Sequence, residues 1–115
     1  YGPVEYWRAV TVYITSYSPC NVGTPGKCSY NSASGMPVQH GLIAVSVPWY
    51  RSMLGQRLYV PGYGVGTVGD TGPGMPDGRY WIDVAYSDAD YVGWHYTRTI
   101  YFLTPVPDVI PWILP

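Results

Sequence analysis

Residues 10–17 alternate strictly between two sets of side chains. One set runs from Val10 to Ser16 and is mostly branched and apolar, whereas the other, from Thr11 to Tyr17, holds only threonine and tyrosine. A period of two in β-branched and aromatic residues predicts a strand. No stretch long enough to form a helix has apolar residues at helical spacing. The chain of 115 residues contains 14 Gly and 12 Pro, and such turn residues separate nearly all of the short apolar runs. The remaining elements must therefore be short.

Short apolar runs between these turn residues predict the other strands. They are Leu42–Val47, Arg57–Val60, Val65–Gly69, Trp81–Tyr86 and Thr97–Leu103. One helical turn is expected near Asp88–Trp94, where Ser87 and Asp90 have capping-box spacing. Charged residues are only 11% of the chain, too few to protect open sheet edges, so we expect the sheet to close. The predicted fold is all-β, a small six-stranded barrel with one short helical turn and extended Pro-rich termini.

The two ends differ from the middle of the chain. Residues 1–9 are predicted to be an extended arm, 10–104 the barrel, and 105–115 an apolar tail with four prolines. Proline excludes helix and central strand from the tail, and an apolar tail in water is a liability unless the barrel or a neighbouring subunit covers it. The residues predicted to make such assembly contacts are Tyr1, Pro3, Val109, Ile110, Trp112, Ile113 and Leu114.

The charge pattern excludes several classes of partner. The net charge is −1, and the six basic residues form no cluster, which argues against nucleic acid and against electrostatic docking on a membrane. No apolar run is long enough to predict a membrane span. The chain begins at Tyr1 rather than Met, which fits a processed protein or a trimmed fragment.

Cys20 and Cys28 are the two cysteines, and turn residues surround them. We favour a disulfide, and the alternative is a pair of free thiols in a cytosolic loop. Structural zinc is not expected, because there is no Cys-x-x-Cys pair and no further ligand nearby. The disulfide reading predicts a secreted protein, extracellular or at the cell surface.

Acidic residues gather in one region. Five of the seven acidic residues lie within 21 positions: Asp70, Asp77, Asp83, Asp88 and Asp90. Asp70 and Asp83 border short hydrophobic runs, where paired carboxylates can serve as general acid and base. In the alternative, both carboxylates only accept backbone N–H bonds in tight turns. No cofactor or metal is expected. The Asp88–Gly93 segment only faintly resembles a calcium loop, because Val92 offers no side-chain oxygen and the closing Glu is absent.

Aromatic residues are abundant, with 13 Tyr and 5 Trp. Exposed rings are platforms for sugars or anchors for protein partners, although about half of these rings are expected to fill the core. The predicted glycan or partner contacts are Trp49, Tyr50, Tyr63, Tyr80, Trp81 and Trp94.

A series of motifs, taken in order, resembles the three-aspartate or 3D domain, a double-psi β-barrel family. The motifs are Thr15–Cys20, Ser32–Gly35, Gly41–Val45, Gly55–Val60, Gly62–Gly64, Asp70–Gly72 and Ile82–Val84. This family includes the MltA-type lytic transglycosylases and the stationary-phase survival and resuscitation-type cell-wall proteins. The resemblance spans about Val10 to Leu103.

The resemblance implies a double-psi barrel with a glycan groove. It implies that Asp70 and Asp83 are the second and third family aspartates, one of which acts as acid and base while a 1,6-anhydro sugar forms. Where the family has its first aspartate, after Ala44 and Val45, this chain has Ser46.

Two functions follow as predictions. The missing aspartate, the apolar tail and the low charge favour a secreted, non-catalytic structural subunit. Such a subunit would self-assemble through its extended termini into a fibre, sheath or surface layer, with further copies of itself as partner. The alternative is a peptidoglycan lytic transglycosylase-like enzyme with Asp70 and Asp83 as its acid/base pair and a cell-wall glycan as its substrate.

Overall fold

A computed structural model describes residues 4–22, 26–72, 80–110 and 114 of the chain. The described part is mainly β. Its elements, in chain order, are β1 (Tyr6–Tyr17), β2 (Leu42–Val45), α1 (Val47–Met53), β3 (Arg57–Val60), β4 (Gly64–Thr71), β5 (Trp81–Ala85) and β6 (His95–Leu103). Each predicted strand is present, and β3 has the predicted bounds.

The strands close into one barrel in the order β1-β5-β2-β4-β3-β6. Two pairs are parallel, β1 with β5 and β2 with β4. The pairs β1–β6, β2–β5, β3–β4 and β3–β6 are antiparallel. The predicted closed six-stranded all-β barrel is therefore confirmed.

The strand alternation separates an inner core from an outer cluster. Val12, Ile14, Ile43, Ile82 and Val84 belong to one buried hydrophobic cluster, the core of the barrel. The residues that alternate with them point away from the barrel core, and the chain that follows β1 covers some of them. This outer cluster consists of Tyr17, Val38, Leu42, Ala44 and Ala85.

Strand β1 begins earlier than the alternation predicted. Its pairing with β6 starts at Tyr6 opposite Leu103, with a register shift before Arg8. Residues 6–9 of the predicted arm are thus part of the barrel, because β6 supplies partners along that whole length.

The one helix of the described residues is not where the sequence predicted it. Asp88–Asp90 form a turn in which the Ser87 hydroxyl donates to Asp90 Oδ1 (2.8 Å), and no helix follows. The helix is α1, which begins at Val47, the last residue of the predicted strand Leu42–Val47, because β2 ends at Val45. A proline in the first turn favours helix there, and Trp49 and Met53, four residues apart, bury one face against the barrel. Within the described residues, no helix has the length and apolarity to cross a membrane.

Candidate active site

Strand pairing brings the two candidate aspartates into one row. Asp83 on β5 pairs with Thr15 on one side and with Ala44 on the other. Ala44 in turn pairs with Asp70 on β4. The backbones of Asp70 and Asp83 are therefore two strands apart, about 10 Å. Because Ile82 and Val84 point into the core, Asp83 and the rest of the row face the outside of the barrel.

A β-bulge at Gly69 determines the direction of Asp70. Ile43 pairs with Val68 but Ala44 pairs with Asp70, so Gly69 is an extra residue in β4. In a regular strand Asp70, two positions after Val68, would point into the core as Val68 does, and the extra residue puts it on the outer face instead. A Cβ at Gly69 would lie 2.7 Å from Met36 Sδ and 2.8 Å from Leu42 Cδ1. A side chain at the bulge would therefore require the ends of the Met36 and Leu42 side chains to move.

The row of residues forms the floor of a cleft of about 440 Å³. Thr15, Trp81 and both aspartates line it from the strands. Residues of the disulfide loop, which we define as residues 18–31, line the other side: Asn21, Val22, Ser29 and Asn31. The cleft therefore places amide and hydroxyl groups opposite two carboxyl groups.

A disulfide and an aspartate hold this loop in place. Cys20 and Cys28 are bonded, as predicted. Asp88 Oδ1 accepts a hydrogen bond from the Ser18 hydroxyl (2.7 Å) and another from the Cys20 backbone N–H (2.9 Å). The disulfide thus links two positions within the loop, and Asp88 links the loop to the chain after β5.

Asp70 is surrounded by hydrogen-bond donors. The Tyr17 hydroxyl donates to Oδ2 (2.8 Å), and the backbone N–H groups of Ala33 and Thr71 donate to Oδ1 (both 2.9 Å). Three donors suit an ionised carboxylate, which only accepts. Burial, followed by the charge of Asp70, raises the pKa of Tyr17, so the phenol keeps its proton and donates.

Asp83 has a different environment. The Thr15 hydroxyl donates to Oδ1, and the indole Nε1–H of Trp81 donates to the same hydroxyl oxygen (2.7 Å). Burial first, and the negative charge of Asp70 second, raise the pKa of Asp83 from 3.8 to about 6. A carboxyl group with this pKa can both give and take a proton near neutral pH.

The six predicted aromatic contacts separate into three groups. Trp81 is half-buried and lines the cleft. Tyr50 and Tyr80 are half-buried and pack against the core, where Tyr80 stacks on Trp49 with ring centroids 5.4 Å apart. The remaining three are core residues rather than exposed platforms, with exposed fractions of 1% for Trp49, 7% for Tyr63 and 6% for Trp94.

Two of these rings, Tyr63 and Trp94, have polar ends with hydrogen-bond partners, whereas the Trp49 indole N–H has none among the described residues. The Tyr63 hydroxyl donates to the Ala85 carbonyl (2.7 Å) and accepts from the Gly41 N–H (2.6 Å), so its polar end is satisfied inside the protein. The Trp94 indole N–H donates to the Tyr86 hydroxyl (2.8 Å). Large rings with satisfied polar ends are stable core residues.

The predicted assembly residues are only partly within the described ranges. Val109 is 81% exposed and Ile110 47% exposed. Leu114 packs against the barrel core instead of facing outward. Tyr1, Pro3, Trp112 and Ile113 lie outside the described residues.

Thr15 and Tyr17 contact the aspartates although the sequence did not single them out. The signal was the polar side of the alternation in residues 10–17, which meets Asp83 once β1 and β5 pair. Ser46, which follows Ala44 and Val45 where the motif resemblance predicts an aspartate, is 4% exposed, and its hydroxyl has no hydrogen-bond partner among the described residues. In the described ranges, His, Cys, Asp and Glu form no group of three that could hold a metal ion.

Comparisons with protein-family models, with curated proteins and with solved structures find no match to this chain. The likeness to the 3D domain therefore stays a prediction from sequence motifs. We argue function from the chemistry of the cleft.

Proposed function

We propose that this protein is secreted or attached to a cell surface and cleaves a glycan in the cleft by acid/base catalysis, in the manner of a peptidoglycan lytic transglycosylase. One observation carries the proposal: Asp83, a carboxyl group with its pKa raised to about 6, shares a cleft with Asp70, which accepts three hydrogen bonds. The motif resemblance supports cell-wall glycan as the substrate class. The disulfide is in keeping with an oxidising compartment.

The two carboxyl groups divide the chemistry between them. Protonated Asp83 gives its proton to the glycosidic oxygen as the bond from that oxygen to the anomeric carbon breaks. The positive charge that develops on the sugar is stabilised by the ionised carboxylate of Asp70. The C6 hydroxyl of the same sugar then bonds to the anomeric carbon, and its proton goes to Asp83. The product is a 1,6-anhydro sugar, no water is consumed, and Asp83 ends protonated as it began.

The lining of the cleft suits a glycan. Asn21, Asn31 and Ser29 offer both donors and acceptors to sugar hydroxyl and amide groups. The half-buried indole of Trp81 offers an apolar surface beside Asp83. The volume of about 440 Å³ lies in the usual range of ligand pockets.

Clearing of purified cell wall in a gel tests the proposal. We expect the protein to clear the gel and to release fragments one water lighter than hydrolysis products. Asp83→Asn and Asp70→Asn should each abolish clearing, while Asp108→Asn, at an exposed position outside the cleft, should clear as the unchanged protein does. Failure of the unchanged protein to clear, or clearing at full rate by Asp83→Asn, would show the proposal to be wrong.

A second function is favoured by a separate observation, the exposed apolar chain after β6. Val106 is 53% exposed, Val109 81% and Ile110 47%. A structural subunit would bury these residues on the next copy in a head-to-tail contact that propagates. Position 46 holds Ser instead of the aspartate that the motif resemblance predicts, so such a subunit need not be catalytic.

Sedimentation distinguishes this second function from the first. We expect the full chain to form large particles, and both a chain ending at residue 104 and the double variant Val109→Ser with Ile110→Ser to sediment as monomers. A full chain that sediments as a monomer would rule out assembly through the tail.

A further inference from the structure

We propose that Thr15 and Trp81 are positioning residues that determine which oxygen of Asp83 carries its proton, so that Oδ2 is the oxygen presented to the ligand. This role rests on the proposed acid/base function of the cleft and adds two residues to it. Neither residue would exchange a proton with the substrate itself.

While Asp83 is ionised, both hydrogen bonds of Thr15 have a fixed direction. An indole N–H can only donate, so the Thr15 hydroxyl oxygen accepts from Trp81 Nε1 (2.7 Å). A hydroxyl has one hydrogen, and that of Thr15 is directed to Asp83 Oδ1. Oδ1 is the acceptor in this arrangement, so Oδ2 is the oxygen that can take a proton while the hydrogen bond from Thr15 is kept.

Among the described residues, none fills the space between Gly72 and the other oxygen of Asp83. A Cβ built on Gly72 would lie 3.4 Å from Asp83 Oδ2 and 3.5 Å from Ala44 Cβ. Glycine has no side chain, so a ligand atom can approach Oδ2 there. Gly72 and Asp83 both line the cleft, and the proton therefore faces the ligand site.

The barrel holds these residues rigidly in place. Thr15 and Asp83 are register partners on β1 and β5, and Trp81 precedes Asp83 by two positions on the same face. Tyr13 is the register partner of Trp81 and packs edge-on against it, with ring centroids 5.3 Å apart. Strand pairing thus fixes the indole, the hydroxyl and the carboxyl relative to one another.

Thr15→Val tests the hydroxyl, because valine keeps the branched shape and the strand preference. A hydrogen bond to the ionised carboxyl favours the ionised form, so its loss should raise the pKa of Asp83. We expect the midpoint of the Asp83 carboxyl titration, followed by carbon NMR, to rise by about 0.5 to 1 pH unit. Thr15→Ser restores the hydroxyl and should restore the midpoint. The pH at which clearing activity falls on the alkaline side should shift in the same direction as the Asp83 midpoint.

Trp81→Phe tests whether the indole acts through Thr15. Removing the N–H leaves the Thr15 hydroxyl free to rotate away from Asp83, so we expect a smaller rise in the same midpoint. In the Thr15→Val background, Trp81→Phe should cause no further rise, because no hydroxyl remains to be oriented.

An unchanged Asp83 midpoint in Thr15→Val would overturn the proposal, as would an equal effect of Trp81→Phe in both backgrounds. If Thr15→Val does not fold, Thr15→Ala removes the hydroxyl instead, and an equal effect of Trp81→Phe in the Thr15→Ser and Thr15→Ala backgrounds would also overturn the proposal. The titration needs no substrate. A protein that clears no cell wall but whose midpoints move as expected would disprove glycan cleavage alone.

Discussion

Asp70 and Asp83 lie in one lateral row of the barrel with a single residue, Ala44, between them. Each carboxyl group is within reach of the other's charge, and the negative charge of Asp70 is one of the causes that raise the pKa of Asp83. Their surroundings differ, since Asp70 accepts three hydrogen bonds and Asp83 is desolvated beside Thr15. Two neighbouring carboxyl groups in such different environments are an arrangement that can serve acid/base chemistry.

Burial of Asp83 should make stability depend on pH. Its pKa is raised from 3.8 to about 6 by folding, so the folded state binds the proton more tightly. The contribution of protonated Asp83 to the stability of the fold is therefore complete below about pH 4 and is lost as the pH rises through 6. We expect Asp83→Asn, which cannot ionise, to gain up to about 3 kcal/mol relative to the unchanged protein between pH 4 and pH 7. Urea unfolding at both pH values measures this.

Asp108→Asn is the matched control, since Asp108 is exposed and lies outside the cleft. The difference in the free energy of unfolding between Asp108→Asn and the unchanged protein should be the same at both pH values. If Asp83→Asn and Asp108→Asn show the same pH dependence, Asp83 is not buried as described.

Gly69→Ala should destabilise the barrel by about 1–3 kcal/mol. The added Cβ would meet Met36 Sδ at 2.7 Å and Leu42 Cδ1 at 2.8 Å, at the bulge that turns Asp70 outward. Gly93→Ala is the control, because a Cβ there meets nothing within 4 Å. Thermal unfolding of the two variants decides the matter, and equal melting temperatures would mean that the bulge tolerates a side chain.

Tyr17→Phe removes one donor from Asp70 while the ring stays in the outer cluster. We expect a loss of about 1 kcal/mol in the free energy of unfolding and slower clearing of cell wall, because a carboxylate in the cleft loses a partner. Tyr91→Phe, at an exposed position, should change neither quantity. Full activity and stability in Tyr17→Phe would mean that the two backbone N–H groups alone hold Asp70.

Replacement of both Cys20 and Cys28 by Ser should cost about 2.5 kcal/mol, the loop-closure value for a short loop. Because the loop also forms one side of the cleft, we expect weaker binding of a soluble cell-wall fragment, measured by calorimetry. Binding of unchanged strength would show that Asp88 alone keeps the loop in place.

The sequence predicted what depends on local pattern. The alternation in β1, the short apolar runs and the turn residues between them placed every strand, and Asp70 and Asp83 were recognised as a pair. The bulge at Gly69 was not predictable, because it is defined by pairing with Ile43 and Ala44, which are distant in sequence. The burial of Trp49, Tyr63 and Trp94 depends in the same way on partners from other elements.

The helix was misplaced for a related reason. Ser87 and Asp90 have capping spacing, but their side chains bond to each other in a turn, and residues 91–94 do not continue this turn as a helix. The α1 segment begins with Val47 and Pro48, which read locally as the end of a strand. Packing of Trp49 and Met53 against the barrel decides in favour of helix.

Titration of the Asp83 carboxyl group by carbon NMR, in the unchanged protein and in Asp70→Asn, tests the central claim most directly. We expect a midpoint near 6 in the unchanged protein. In Asp70→Asn it should fall but stay above 3.8, because desolvation remains when the neighbouring charge is gone. A midpoint near 4 in the unchanged protein, or one that Asp70→Asn leaves in place, would contradict a shared acid/base site.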